Sequence, residues 1–306
     1  MAYLPALEDW LAAPGPAAVL AACRELRAVI LPAECVVCGA ADESLCMVCR
    51  IAVRHATLRP YNASAGAGML PEAEKYPGAA ARLGAPEYLE PVPLPVTAAG
   101  RYAAGLSRVV LACKNHGHTD LLGILAEAMA RTLHSASDSL PTGRVALVPV
   151  PGSFRGRTRR GYDPLELILA RVRLRGLLPA GMEIRSILGY RLVAELLALR
   201  SGAQKTLGAG ARRRNVHGTM TAGHPGDLRG LTVLLADDVL TTGATLAEAT
   251  RALRAAGAQV AGAAVIAAVR APAPQAPQAA RQEPGSAPEI RRHGTATEQR
   301  PKSEGE

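Results

Sequence analysis

Residues 233–245 read VLLADDVLTTGAT. Apolar residues run without alternation into two adjacent acids, Asp237 and Asp238, and then into a Thr- and Gly-rich stretch. A strand that is apolar at every position has both faces covered, as happens in a parallel sheet between helices. The same grammar recurs along the chain. VALVPV at 145–150 and QVAGAAVIAAV at 259–269 read as buried strands, with a weaker one near 183–188. Between them apolar residues fall at helical spacing: Leu106, Val109, Val110 and Cys113; Leu121, Leu122, Leu125, Met129 and Leu133; Leu165, Ile168, Leu169 and Val172. A short helix over 246–256 closes at Gly257, a C-terminal cap residue type. The alternation predicts an α/β fold, a parallel sheet flanked by helices.

In such a sheet ligands gather beyond the carboxyl ends of the strands, where Asp237 and Asp238 fall. The loop behind them feeds a helix, whose free N–H groups and dipole favour an anion. Gly243 permits close backbone approach, Ala244 adds only backbone, and Thr241, Thr242 and Thr245 offer hydroxyls. A triphosphate-binding loop would read GxxxxGK[ST], and no lysine follows here. Carboxylates accept hydrogen bonds from vicinal hydroxyls, so the arrangement suits a ribose whose 5-phosphate lies in the loop.

Cys35-x-x-Cys38 and Cys46-x-x-Cys49 are separated by seven residues. Two such knuckles place four thiolates around zinc, and four sulfur ligands make the site structural. A disulfide pairing is the competing reading, and a reducing compartment argues against it. The chain has 306 residues, 49% hydrophobic and 20% charged, so it buries a large core. The net charge is +9, and the tail after Arg270 balances five basic residues against five acidic ones, so the excess lies in the body. That suits phosphate ligands or nucleic acid. Aromatic content of 3% argues against a single-strand stacking face as the main role. No basic leader precedes an apolar run and no apolar run is long enough to span a bilayer, so a cytoplasmic location without membrane contact is expected.

Four regions follow: an N-terminal helix and zinc module over 1–60, with apolar residues from Leu7 to Ile30; a Pro/Gly-rich linker or insertion over 61–95; the α/β domain over 96–270; and a Pro/Ala/Gln-rich, disordered tail over 271–306.

The run of acids, Thr-Gly and final Thr closely resembles the signature of type I phosphoribosyltransferases. Together with the four cysteines, the chain is similar to the ComF family, associated with DNA uptake in natural competence. Lys114-Asn-His-Gly117 stands for the family's Lys-x-x-Gly. Pro149-Val-Pro151 is followed by Arg155, Arg157, Arg159, Arg160, Gly161 and Tyr162, read as an Arg-rich loop and turn. Arg200, Gln204, Leu207, Arg212, Asn215, Val216 and Gly218 match a third stretch. Asp163-Pro164 departs from the usual Asn-Gln. The resemblance implies binding of phosphoribosyl pyrophosphate (PRPP) with Mg²⁺. Asp237 and Asp238 would act as catalytic groups on the ribose, residues 241–245 would hold the 5-phosphate, and Lys114 and Arg155 would lie near pyrophosphate. It implies pentosyl transfer to a nucleobase or nucleotide acceptor. The alternative is a non-catalytic accessory role in DNA uptake with a helicase partner. The arginine cluster fits a pyrophosphate clamp, a nucleic-acid backbone or a solvated loop.

Overall fold

The computed structural model describes residues 33–74, 92–115, 117–141, 143–152, 154–191 and 217–269, with the side chains of Phe154, Arg155 and Arg159 outside that set. The N-terminal helical pattern, the stretch from Arg200 to Val216 and the tail lie outside the described residues. All described residues fall in one compact unit, Met1–Ala271.

The elements in chain order are α1 (Met47–Ala56), β1 (Tyr61–Asn62), β2 (Val96–Arg101), α2 (Ala104–Asn115), α3 (Leu122–Ser137), β3 (Val145–Pro149), α4 (Phe154–Arg160), α5 (Pro164–Leu174), β4 (Met182–Ile184), β5 (Gly189–Tyr190), β6 (Met220–Thr221), β7 (Thr232–Leu240), α6 (Ala244–Ala255) and β8 (Gln259–Ala268). Six strands form one sheet in the order β1-β2-β8-β7-β3-β4, and only the β1–β2 pairing is antiparallel. β5 and β6 form a separate antiparallel ribbon.

The period of two along each strand sorts side chains into two cores. Val233 and Leu235 face one side with Val148, Val265, Leu246 and Leu253 of α6. Leu234 and Ala236 face the other, with Leu147, Ile266, Met129 and Leu133 of α3, and Ile168 and Leu169 of α5. The α/β expectation is met: a mostly parallel sheet covered on both faces, with the cysteine cluster at its N-terminal side.

Three boundaries differ from the sequence expectation for clear reasons. β7 continues past its acids to Leu240, because Val239 and Leu240 keep pairing with Ala267 and Ala268 of β8. The residues after Pro151, read as an Arg-rich loop, form the helix α4. The segment read as linker from 61 onward is built in part: β1 pairs with β2, Ser64 Oγ accepts from the Val96 N–H at 2.9 Å, and the Leu94 N–H donates to the Pro71 carbonyl at 2.8 Å. Its order comes from pairing to an edge strand, which local periodicity does not encode.

Among the described residues no helix is long and apolar enough to cross a membrane.

Candidate functional site

β3 leads outward to β4, whereas its neighbour β7 leads to β8 on the opposite side. That reversal is the switch point at which open parallel sheets form a crevice. β3 ends at Pro149, opposite Ala236, and the Val150 N–H closes the ladder on the Ala236 carbonyl at 2.8 Å. Asp237 and Asp238 therefore lie just past the end of β3, on a strand that only β8 still supports.

Asp237 Oδ1 accepts from the Asp238 N–H at 2.8 Å. Asp238 Oδ2 lies 2.6 Å from Lys114 Nζ, at the last turn of α2. Burial and the neighbouring Asp238 charge push Asp237 up to about 8, against the pull of the Asp238 N–H and Lys114. Burial alone would lower the Lys114 ammonium, but Asp238, helped by Asp237, holds it above its ordinary value. The end of α2 is itself pinned, since Tyr162 Oη donates to the Cys113 carbonyl at 3.2 Å.

The Thr- and Gly-rich loop follows directly. Gly243 takes φ +85° as the residue before α6, a left-handed conformation natural to glycine. The N-cap Gly243 has no side chain to offer and no acid sits in the first turn of α6, so no carboxylate competes at its positive end. Thr242 Oγ1 lies 3.4 Å from the Ala244 N–H. Thr241 is exposed, while Thr242, Ala244 and Thr245 are half-buried. Behind the loop the Met69 N–H donates to the Thr242 carbonyl at 2.9 Å. A Cβ on Gly243 would stand 2.9 Å from Leu70 Cδ2, so the 61–74 segment fixes the loop from behind.

The structure thus brings Lys114, Asp237 and Asp238 together and sets residues 241–245 immediately after them. Arg155 falls on α4, but its side chain is outside the described set. Arg160 on the same helix has a buried Nε without a hydrogen-bond partner.

Several supporting residues escaped the sequence reading. Asp163 caps α5, accepting from the Leu165 N–H at 3.0 Å, and also accepts from the Gly152 N–H at 2.8 Å. The Asp-Pro pair is an N-cap followed by Pro at N1, a signal that could have been read. Tyr190 Oη reaches the Pro151 carbonyl at 3.1 Å. Glu248, buried on α6, accepts from the Met220 N–H at 2.9 Å and from Arg251 at 2.8 Å through both oxygens. An isolated Glu-x-x-Arg gives no hint of that contact.

The second site is the cysteine cluster. The sulfurs of Cys35, Cys38, Cys46 and Cys49 all lie within 4.8 Å of one another. Cys38 and Cys46 are 3.7 Å apart, close to the edge of about 3.8 Å expected of a tetrahedron with thiolate–zinc bonds of about 2.3 Å. That separation is far too long for a disulfide. The Cys46 N–H points at Cys35 Sγ at 3.5 Å. Burial opposes it, but backbone N–H groups of Cys46, Cys38 and Val37 bring the Cys35 thiol down to about 6. The four thiols fit a metal ion such as zinc.

Residues 189–280 match the phosphoribosyl transferase domain. The chain is also 39% identical over 84 residues to the orotate phosphoribosyltransferase of Pyrobaculum calidifontis. Both findings support the type I phosphoribosyltransferase superfamily. That alignment covers 28% of this chain and 38% of the relative, so the chain spans well under half of the relative's length. The matched region contains β7, the acid pair, the loop 241–243 and α6.

Proposed function

We propose that this chain binds PRPP with Mg²⁺ and is a phosphoribosyltransferase of the ComF type, acting in the cytoplasm. The reading rests on one observation above all: an acid pair at the sheet's switch point, followed closely by a helix N-terminus that starts on a left-handed glycine and carries no acid in its first turn. Asp237 and Asp238 accept hydrogen bonds from the ribose 2- and 3-hydroxyls, and residues 241–245 receive the 5-phosphate. Lys114 and the cations of α4 receive the pyrophosphate. Hard carboxylate oxygens beside a substrate diphosphate suit Mg²⁺, which takes one or two carboxylates and completes its shell from phosphate and water. When bound, the ion would neutralise charge on the leaving diphosphate.

In the transfer, the bond between ribose C1 and the pyrophosphate oxygen breaks, and its electron pair leaves with pyrophosphate. A nitrogen of the acceptor, a nucleobase or nucleotide, forms the new bond to C1 and gives up its proton to the departing pyrophosphate or to water. The protein contributes positioning and fixed charge, worth most in a site closed to bulk water.

Titration calorimetry with PRPP and Mg²⁺ tests the binding, followed by a screen of nucleobases for pyrophosphate release. Above about pH 8, where Asp237 is ionised, binding is expected in the wild type and a loss of at least about tenfold in Asp237→Asn or Asp238→Asn, each of which weakens a charge-assisted acceptor. Absent binding, or binding unchanged in both variants, refutes the site. Binding without turnover on any base would favour the accessory role in DNA uptake, with a helicase partner, over the transferase.

A further inference from the structure

α1 is apolar on two sides. Cys49 and Val53 are buried in the core, whereas Met47, Val48 and Ile51 on the other side are 59% to 76% exposed, and Leu58, just past the helix end, is 54% exposed. A single exposed aliphatic residue is ordinary, but several gathered on one helix face mark an interaction surface. Met47, Ile51, Arg54 and Leu58 follow one another at spacings of four, three and four, the seam of a helix that packs against another helix. Arg54 does not break that seam. Its guanidinium is engaged by Glu127 at 3.1 and 3.2 Å, and an arginine stem is apolar.

The chain supplies a matching run. In residues 17–31, Val19, Cys23, Leu26 and Ile30 repeat the spacing of four, three and four, and Pro32 ends it. Both seams are equally long, about 16 Å of helix. The described residues begin at Ala33, and the N–H of Cys46, the residue before Met47, lies 3.5 Å from Cys35 Sγ. The segment is therefore delivered at the Met47 end of α1, since the chain from Ile30 to Cys35 reaches at most about 17 Å. Because its end meets the start of α1, the two runs are antiparallel: Ile30 beside Met47, Leu26 beside Ile51, Val19 beside Leu58. A second copy of the chain is a poorer occupant. A helix about 15 Å long offers on the order of a few hundred Å², against about 800 Å² per partner in a stable interface. A tethered segment needs no such area, because the link holds it at about millimolar effective concentration.

We propose that the exposed face of α1 is the docking surface for the chain's own residues 17–31, which lie over the cysteine module as an antiparallel helix with Leu26 against Ile51.

Double-mutant cycles on the full chain decide it, read as melting temperature. Glutamine is a good helix former and replaces the apolar side chain by a polar one. Ile51→Gln and Leu26→Gln should each lower the melting temperature by about 4 °C, the effect of returning one aliphatic side chain to water. The double variant should lose about 5 °C rather than about 8 °C, since the second substitution finds its partner already gone. Met47→Gln with Ile30→Gln should behave alike, and that pair decides the matter if Ile51→Gln fails to fold. Sedimentation velocity should give wild type and Ile51→Gln the same mass. A melting temperature within about 1 °C of wild type for Ile51→Gln and Met47→Gln would make the face plain surface, and additive losses in both cycles would mean that the two runs do not touch. Either overturns the proposal. A dimer that Ile51→Gln dissociates and Leu26→Gln leaves whole would assign the face to a second copy and overturn it as well.

Discussion

Asp237 carries a cost that depends on pH. Burial and the adjacent Asp238 raise its folded-state pKa to about 8, while in an unfolded chain it titrates near the ordinary aspartate value of about 3.9. Between those limits the folded state holds a proton that the unfolded state has released. Stability contributed by this group is therefore complete below about pH 4 and is lost as the pH rises through about 8. Asp238 and Lys114 face the group, and Lys114 limits the loss by favouring the ionised form. Asp237→Asn removes the titration and keeps the shape. Its melting temperature relative to wild type should climb steadily from pH 4 to pH 8, and a difference flat across that range would show that Asp237 ionises normally. The same substitution removes a charged acceptor from the proposed ribose site, so stability and binding should move in opposite directions at pH 8. The acids could be read from their place after an apolar run. Their partner Lys114 lies 124 positions away, and only the packing of α2 over the sheet brings it in.

At the level of elements, α6 does two things at once. Its first turn follows the Thr- and Gly-rich loop, and its buried Glu248 anchors the β5–β6 ribbon. The Glu248 side chain is 3% exposed, and Arg251 also donates to the Met220 carbonyl at 3.0 Å. Hydrogen bonding by Arg251 and by the Met220 and Gly218 backbone overcomes burial and holds this carboxyl below its usual range. Glu248→Ala would strip Arg251 and the Met220 N–H of their acceptor, a loss of about 3 kcal/mol at the low end for a broken buried pair, because Arg251 reaches solvent. Chemical denaturation should report that loss, and a value under about 0.5 kcal/mol would mean the ribbon holds without the carboxylate. The regular elements were readable because each leaves its own mark: an unbroken apolar run along β3, β7 and β8, and apolar residues three to four apart along α3 and α5. The brace over 61–74 was not. Its contacts are backbone hydrogen bonds to β2, to Leu94 and to Thr242, and these leave no periodic mark in side-chain type. Read from composition, a segment held in this way looks like a linker.

Across the whole molecule, the cysteine module shares the core of the sheet. Cys35, Leu45, Cys49 and Val53 belong to the same buried cluster as α2, α3 and α5. Gly100 of β2 shows how closely α1 approaches, since a Cβ there would lie 2.7 Å from the Ala56 carbonyl oxygen. Polar ties reinforce the contact. Arg131 of α3 donates to the Thr57 carbonyl at 3.0 Å and to its hydroxyl at 2.9 Å, Arg54 pairs with Glu127, and the Arg108 guanidinium donates to the Val37 carbonyl. A module joined in this way cannot melt by itself without exposing part of the sheet's core. Protein purified without chelator should carry about one zinc per chain. Calorimetry should then give a single transition, and Cys38→Ser or removal of zinc should move all of it downward by at least about 10 °C, on the scale of several kcal/mol for a domain of this size. Cys38 is the exposed member of the four, so its replacement tests ligation more than packing. Two separate transitions, with the upper one unmoved, would mean that the module is an independent domain attached to the sheet. Metal content well below one per chain would remove zinc from the account of the fold.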